Sequence, residues 1–494
     1  MKVLGLAAIA AYCLSLATSR FQVDELEAIH TAWKIASGER IYVDFFQHHN
    51  PLFYYLLAPL VQLGADGDLS LVSVRLVAGC FGLLTVYATW RLSLELAGTN
   101  AAWMSTTLVL ANGVALGVGA DVRPDVPQVA LSTLSILCAF LWLDRRTAAL
   151  LIGSAVLMGL AFMFLQKAVI PGFALGAVWL LRVLRGELKL RWLFGWGVTV
   201  CATIALCLLP YAATDSLQQW YDQNIVLNTL SDTPNFALET NQVKNGAGRI
   251  KWLLLPLLLI PVLWFLKGND NREKIRRDSR WAALELFIIA LFVGGVAVTY
   301  RVQYFQYYLN VLPILAVLGA WSLCSVISAF ANRRATEWSH TSLVYALPII
   351  SCCILSIGAL SRDYSTEDLA KQTKVLDLIR ATTAINDSVY DERMLCNLFR
   401  KDLHFFWFSV GDGQQLEKYR KIHALQHSPD ALMRDQRTKV ACHPQAPKLK
   451  DRNSASIFEA HPSQRDLYVR RTRKPTISQQ PALEIEKAVN AYEK

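Results

Sequence analysis

Apolar residues along this chain collect in runs of close to twenty, separated by short polar connections. A run of that length, wound as a helix, crosses about 30 Å of hydrocarbon. The pattern predicts spans at 3–20, 70–96, 101–119, 127–143, 147–165, 168–184, 193–213, 250–266, 282–299, 309–330 and 342–360. The expected fold class is therefore an all-α polytopic membrane protein of about eleven transmembrane helices. Lys2, Arg145, Arg146, Arg182, Arg185, Lys189, Arg191, the basic run from Lys267 to Arg280, and Arg333 with Arg334 fall on one set of connections. Cytoplasmic loops carry such an excess, so this set faces the cytoplasm. An odd number of spans then leaves the chain from about 361 on the outer side.

Two outer loops are long. In residues 21–69, Leu26, Ile29, Trp33 and Ala36 form a helical apolar stripe, and Gly38 suits a C-cap. This predicts an amphipathic helix over 24–37, lying on the membrane surface. Asn50-Pro51 reads as a helix start, with Asn as cap. The apolar run 51–63 after it is too short to span. Residues 214–249 form the second loop, with Trp220 and Tyr221 as interface anchors. Residues 1–360 are thus read as a membrane domain. A small extracytoplasmic α/β region follows at 361–442, with a helix over 366–380, a strand at Ser388 to Glu392 and an aromatic tract at 404–408. Beyond 443 the sequence is rich in Pro, Ser, Gln and charge, which predicts little order.

Composition refines this picture. Of 494 residues 53% are hydrophobic, and 49 basic against 39 acidic residues give a net charge of +10. In a membrane protein that excess belongs to loops and tail and does not indicate nucleic acid. Eight of ten cysteines lie in or beside apolar runs, as small hydrophobes. Cys396 and Cys442 lie in the polar tail, where a disulfide is open to them if the tail is outside the cytoplasm. Residues 1–19 have the outline of a signal peptide. A retained first helix is favoured, because the residues after it look functional.

Charges at a bilayer are costly unless they serve something. On the inferred topology Asp24, Glu25, Asp121, Asp125, Lys167 and Arg301 all fall at the outer face. Each has a structural reading too. Asp24 would cap the surface helix, Asp121 to Asp125 would cap the next span behind Pro124, and Lys167 and Arg301 would snorkel to headgroups. His48 and His49 invite a metal, but adjacent side chains generally point to different sides. No Walker A or GxGxxG pattern is present, which argues against nucleotide-driven transport and nucleotide-sugar chemistry. Activated groups at an outer leaflet arrive on lipid carriers. Sugar transfer from a polyprenyl phosphate needs a carboxylate to take the acceptor proton and a cation or metal to stabilise the departing phosphate. These residues supply both.

The same residues resemble the GT-C superfamily of integral-membrane glycosyltransferases, in its branch of protein O-mannosyltransferases and lipid A aminoarabinose transferases. The carrying segments are Asp24-Glu25, GERIYVDFFQHHNPLFYYLLAPL at 38–60, Arg75, ADVRPDVPQ at 120–128, and YRVQYFQYYLNVLPILAVLGA at 300–320. The resemblance covers about residues 1–410. It implies an inverting transferase in a bacterial inner membrane, with its site and C-terminus facing outward. Asp24 matches the catalytic base of the first outer loop, with Glu25 its neighbour, and Asp121 to Asp125 match a second acidic motif. Asp125, with Arg123, would shape the sugar pocket or a divalent-metal site; no cofactor is certain. Lys167 and Arg301 would hold the donor phosphate, with Arg123, Asp121, Tyr304 and His49 around the phosphate and sugar. The aminoarabinose enzymes typically carry Lys-Pro-Pro where this chain has His49-Asn50-Pro51. The implied partners are a polyprenyl-phosphate sugar, a glycan, lipid or protein acceptor, and membrane lipid. The rival readings are a transporter or flippase of a lipid-linked or polar solute, and a structural subunit with a sensory tail. Charges at span ends rather than mid-span favour the enzyme.

Overall fold

A computed structural model of the chain describes residues 1–64, 67–227, 273–299, 306–331, 366–391 and 394–402, with strands at 438–442, 458–460 and 467–470. The predicted spans 250–266 and 342–360, Arg301, Tyr304 and the aromatic tract at 404–408 lie outside the described residues. Five described helices are long and apolar enough to cross a membrane: Asp68–Ala97, Asp125–Arg145, Gln166–Leu184, Leu190–Ala213 and Arg280–Thr299. The chain divides into two units. One comprises Met1–Ala17, Val77–Leu209 and Thr233–Asp363; the other comprises Thr18–Leu76, Pro210–Asp232 and Tyr364–Lys494. Both long outer loops thus group, wholly or in part, with the C-terminal region.

In the first unit α1 (Lys2–Thr18), α5 (Thr99–Leu110), α6 (Gly113–Gly117), α7 (Asp125–Arg145), α8 (Ala148–Phe164), α9 (Val169–Leu184) and α10 (Leu190–Ala213) follow the apolar pattern. So do α12 (Glu273–Thr299) and α14 (Leu312–Ala331). Helix α7 packs on α8, α5 on α14, and α12 on both α9 and α14. Small polar residues join α7 to α8: the Ser135 hydroxyl donates to the Ser154 carbonyl at 2.7 Å, as membrane helices favour. Gly159 of α8 lets α10 approach, since a Cβ there would lie 2.7 Å from that of Thr203. The expected single span 101–119 is instead broken, the two pieces bent by 71°. Asn112 is extended, and its side chain accepts from Val114 N at 2.9 Å. That cap begins a new helix.

In the second unit α2 (Val23–Ala36) packs on α3 (Leu52–Leu63). Helix α2 starts with a capping box between Gln22 and Glu25. It ends where Gly38 takes φ 91° and donates to Ile35 O at 3.0 Å. It is not a surface helix: every residue from Glu25 to Lys34 is buried. Its polar face has buried partners far along the chain, described below. The predicted Asn50 cap is also corrected. Pro51 occupies the N-cap of α3, while the Asn50 side chain accepts from Trp220 Nε1 at 3.0 Å.

The C-terminal part of this unit has α15 (Thr366–Thr382) and β1 (Ser388–Asp391), as the sequence predicts. Strand β1 runs parallel to β2 (Thr438–Cys442). Strands β3 (Phe458–Ala460) and β4 (Leu467–Arg470) complete a sheet of order β1-β2-β4-β3. The expectation of little order from 443 onward therefore fails at β3 and β4. Cys396 is disulfide-bonded; the side chain of Cys442 lies outside the described residues.

Candidate active site

The predicted residues form two clusters, one in each unit. In the first unit, α6 and a short 3-10 turn lead into Asp121, and Pro124 caps α7, putting Asp125 in its first turn. A carboxylate there is favoured by the helix dipole. Lys167, on the turn between α8 and α9, donates to Asp125 Oδ1 at 2.9 Å. Its ammonium also lies 4.4 Å from the centre of the Tyr307 ring. Arg123 stands between two acids, 3.9 Å from Asp121 Oδ2 and 3.9 Å from Asp125 Oδ2. Asp121, Arg123 and Asp125 are buried, and the Lys167 side chain is 19% exposed. Two acids and two cations balance. An anion arriving here must compete with Asp125 for Lys167. Gln128, one turn along α7, donates to Asn310 at 2.8 Å and fixes this end of the helix.

In the second unit Asp24 occupies the first turn of α2 and is half-buried. Glu25 beside it is fully buried and committed. Its Oε2 accepts from Gln22 N at 2.9 Å and from Arg75 Nη2 at 3.4 Å. These contacts tie Glu25 into the start of α2. Arg75 also donates to Ser19 O, and its guanidinium stacks 3.7 Å from the centre of the Phe21 ring. The Gln372 amide bonds both sides of the Phe21 backbone, at 2.7 and 2.8 Å. Asp24 therefore sits at a helix start braced by Glu25, Arg75 and α15.

The other end of α2 is tied down by Asp402. Its Oδ2 accepts from His30 Nε2 at 2.7 Å and Lys34 Nζ at 2.9 Å. Its Oδ1 accepts from Asn397 at 3.2 Å. Lys34 also meets Glu39 at 2.8 Å. Burial works to raise the Asp402 pKa, but Lys34 and His30 prevail and hold it at about 2. Burial likewise disfavours the Lys34 cation, and Asp402 with Glu39 more than offsets it, raising its pKa. Gln372 and Asp402 carried no sequence signal, since their partners lie more than 300 residues away.

His48 and His49 do not point to different sides. Their ring centres lie 3.9 Å apart. The Gln47 side-chain oxygen Oε1 accepts from both His48 N and His49 N, at 2.8 and 3.2 Å. The pair lies in a loop, outside the regular helix or strand that such alternation assumes. Glu27 of α2 joins them, the donor atoms of all three lying within 4.8 Å of one another.

Residues 48–211 match the family described as dolichyl-phosphate-mannose-protein mannosyltransferase. No curated protein matches the chain by sequence. Among solved structures, the chain is similar to ArnT from Cupriavidus metallidurans bound to undecaprenyl phosphate. That likeness has a TM-score of 0.64 at 14% identity, over 95% of this chain and 97% of ArnT. It is also similar to the Archaeoglobus fulgidus oligosaccharyltransferase, with a TM-score of 0.59 at 13% identity, over 88% of this chain and 69% of that one. It is similar as well to the oligosaccharyltransferase AglB from Archaeoglobus fulgidus in complex with an inhibitory peptide and a dolichol-phosphate, with a TM-score of 0.56 at 12% identity, over 88% of this chain and 69% of that one. The family match and these shared folds bear out the GT-C resemblance read from the sequence.

Proposed function

We propose that this protein moves a sugar from a polyprenyl-phosphate donor to a hydroxyl of a glycan, lipid or protein acceptor, at the outer face of a bacterial inner membrane. Asp24 is the base. It takes the acceptor proton as the acceptor oxygen attacks the anomeric carbon, and the bond from that carbon to the phosphate oxygen breaks with inversion. The electron pair leaves on the phosphate, which gains negative charge. Lys167 and Arg123 receive that charge, joined by Arg301. Asp125 aims Lys167, and Asp121, Tyr304 and His49 border the sugar and phosphate.

The observation that carries this reading is the charge-balanced cluster of buried Asp121, Arg123 and Asp125 with the partly exposed Lys167, within a chain whose fold is similar to that of ArnT bound to undecaprenyl phosphate. A dry site with preset cations stabilises a developing phosphate charge far better than water does. The disulfide at Cys396 supports an outward-facing C-terminal region, since disulfides persist in oxidising compartments.

Membrane vesicles supplied with a labelled polyprenyl-phosphate sugar test the roles. Asp24→Asn should lower transfer by about a hundredfold or more, the contribution of a general base, with expression intact. Full activity in that variant would refute the assignment of the base.

A further inference from the structure

We propose that Glu27, His48 and His49 bind a first-row divalent transition-metal ion, zinc being the best match. The three residues come from two elements that pack together within one unit: Glu27 from the middle of α2, and the histidines from the loop before α3. Glu27 is 8% exposed and both histidines are half-buried. His48 Nδ1 lies 3.9 Å from Glu27 Oε1. That is too long for a hydrogen bond, which spans about 2.7–3.2 Å. It is close to the separation of two ligands on one tetrahedral ion, about 3.3 Å for bonds of about 2.0–2.1 Å. The ligand atoms of all three residues lie within 4.8 Å of one another.

The loop is held in this form from several directions. The Gln47 side chain receives the backbone N–H groups of both histidines and donates to Thr31 Oγ1 at 3.0 Å. Its backbone N–H donates to Gln223 Oε1 at 3.0 Å. The Tyr42 hydroxyl donates to the His49 carbonyl at 2.7 Å, and Trp220 holds Asn50. Two adjacent imidazoles are thus fixed side by side against a buried carboxylate before any ligand arrives. Such support fixes the orientation of ligand groups around a metal.

The donor set chooses the ion. Two imidazoles and one carboxylate suit zinc and its neighbours. Magnesium and calcium prefer all-oxygen surroundings. Three protein ligands leave a position for water or an oxyanion, as open zinc sites do. The proposal does not depend on the glycosyl-transfer reading.

The test uses the full chain, purified in detergent, stripped with a chelator and titrated with zinc. About one zinc should bind per chain, in a tenfold excess of magnesium. Glu27→Gln, His48→Asn and His49→Asn should each weaken binding by at least about tenfold, while metal-free melting temperature and elution stay as in the parent. If a variant fails to fold, histidine footprinting of the unaltered chain decides: zinc should protect His48 and His49 from acylation. Absent stoichiometric binding, binding undiminished in the folded variants, or no protection of the pair would each overturn the site. Asp24→Asn should bind zinc normally while losing transfer, so the two proposals fail separately.

Discussion

Lys167 and Asp125 are the residues on which the donor-phosphate reading turns. Lys167→Ala removes a cation from the proposed phosphate site and leaves Asp125 buried without its ammonium partner. Losing one member of a buried pair costs about 3–5 kcal/mol; the partial exposure of Lys167 places this case at the low end. The variant should show a lower melting temperature and at least a tenfold higher KM for the lipid-linked donor. Lys167→Arg keeps the charge and should restore stability, with only part of the donor affinity. These two residues were legible in the sequence because each breaks a trend: a cation in a tight outer loop, and an acid at a span start behind Pro124. Glu25 was not legible in this way. Its commitment depends on Gln22 being the N-cap and on Arg75 arriving 50 residues later. The side-by-side placement of the histidine pair was not legible, because the expectation that neighbours diverge holds on a helix or strand and these two lie in a loop.

At the scale of elements, α2 is the piece whose surroundings the sequence concealed. Its apolar stripe and Gly38 stop were visible, and the helix forms where they predict. Its burial was not visible, because Asp402 and Gln372 neutralise or brace it from the far end of the chain. Asp402→Asn should destabilise the protein by about 3 kcal/mol or more, read as a fall in melting temperature at neutral pH. The carboxyl is held at about 2, below its unfolded value near 3.8. Its stabilisation is therefore full above about pH 4 and is lost as pH falls toward 2. Thermal unfolding followed from pH 5 to pH 2 should lose stability in the parent over that window and less so in Asp402→Asn. Gln372→Ala leaves the Phe21 backbone groups without their amide, at a cost of about 1–3 kcal/mol. By loosening the start of α2 it should lower kcat with little change in donor KM. Unchanged kcat would remove α15 from any part in positioning Asp24.

For the whole molecule, apolar run length and the distribution of Lys and Arg carried most of the reading. Among the described residues, helices form at the predicted apolar runs, broken at Asn112 in one of them, and five are long and apolar enough to cross a membrane. The grouping of outer loops with the C-terminal region was not legible, because it depends on contacts distant in sequence, such as Phe21 with Gln372. The membrane topology makes its own prediction. A cysteine replacing Val23, which is 44% exposed, should react with a membrane-impermeant thiol reagent added from outside intact cells. A cysteine in the connection after residue 185 should react only after lysis. The most direct test of the central claim is a transfer assay with the purified protein and Asp24→Asn side by side, offered polyprenyl-phosphate sugars and nucleotide sugars in turn. Polyprenyl phosphate should be released with a glycosylated product of inverted configuration, from lipid-linked donors alone, and about a hundredfold or more slower in Asp24→Asn than in the unaltered protein. Transfer from a nucleotide sugar, or equal transfer by Asp24→Asn, would contradict it.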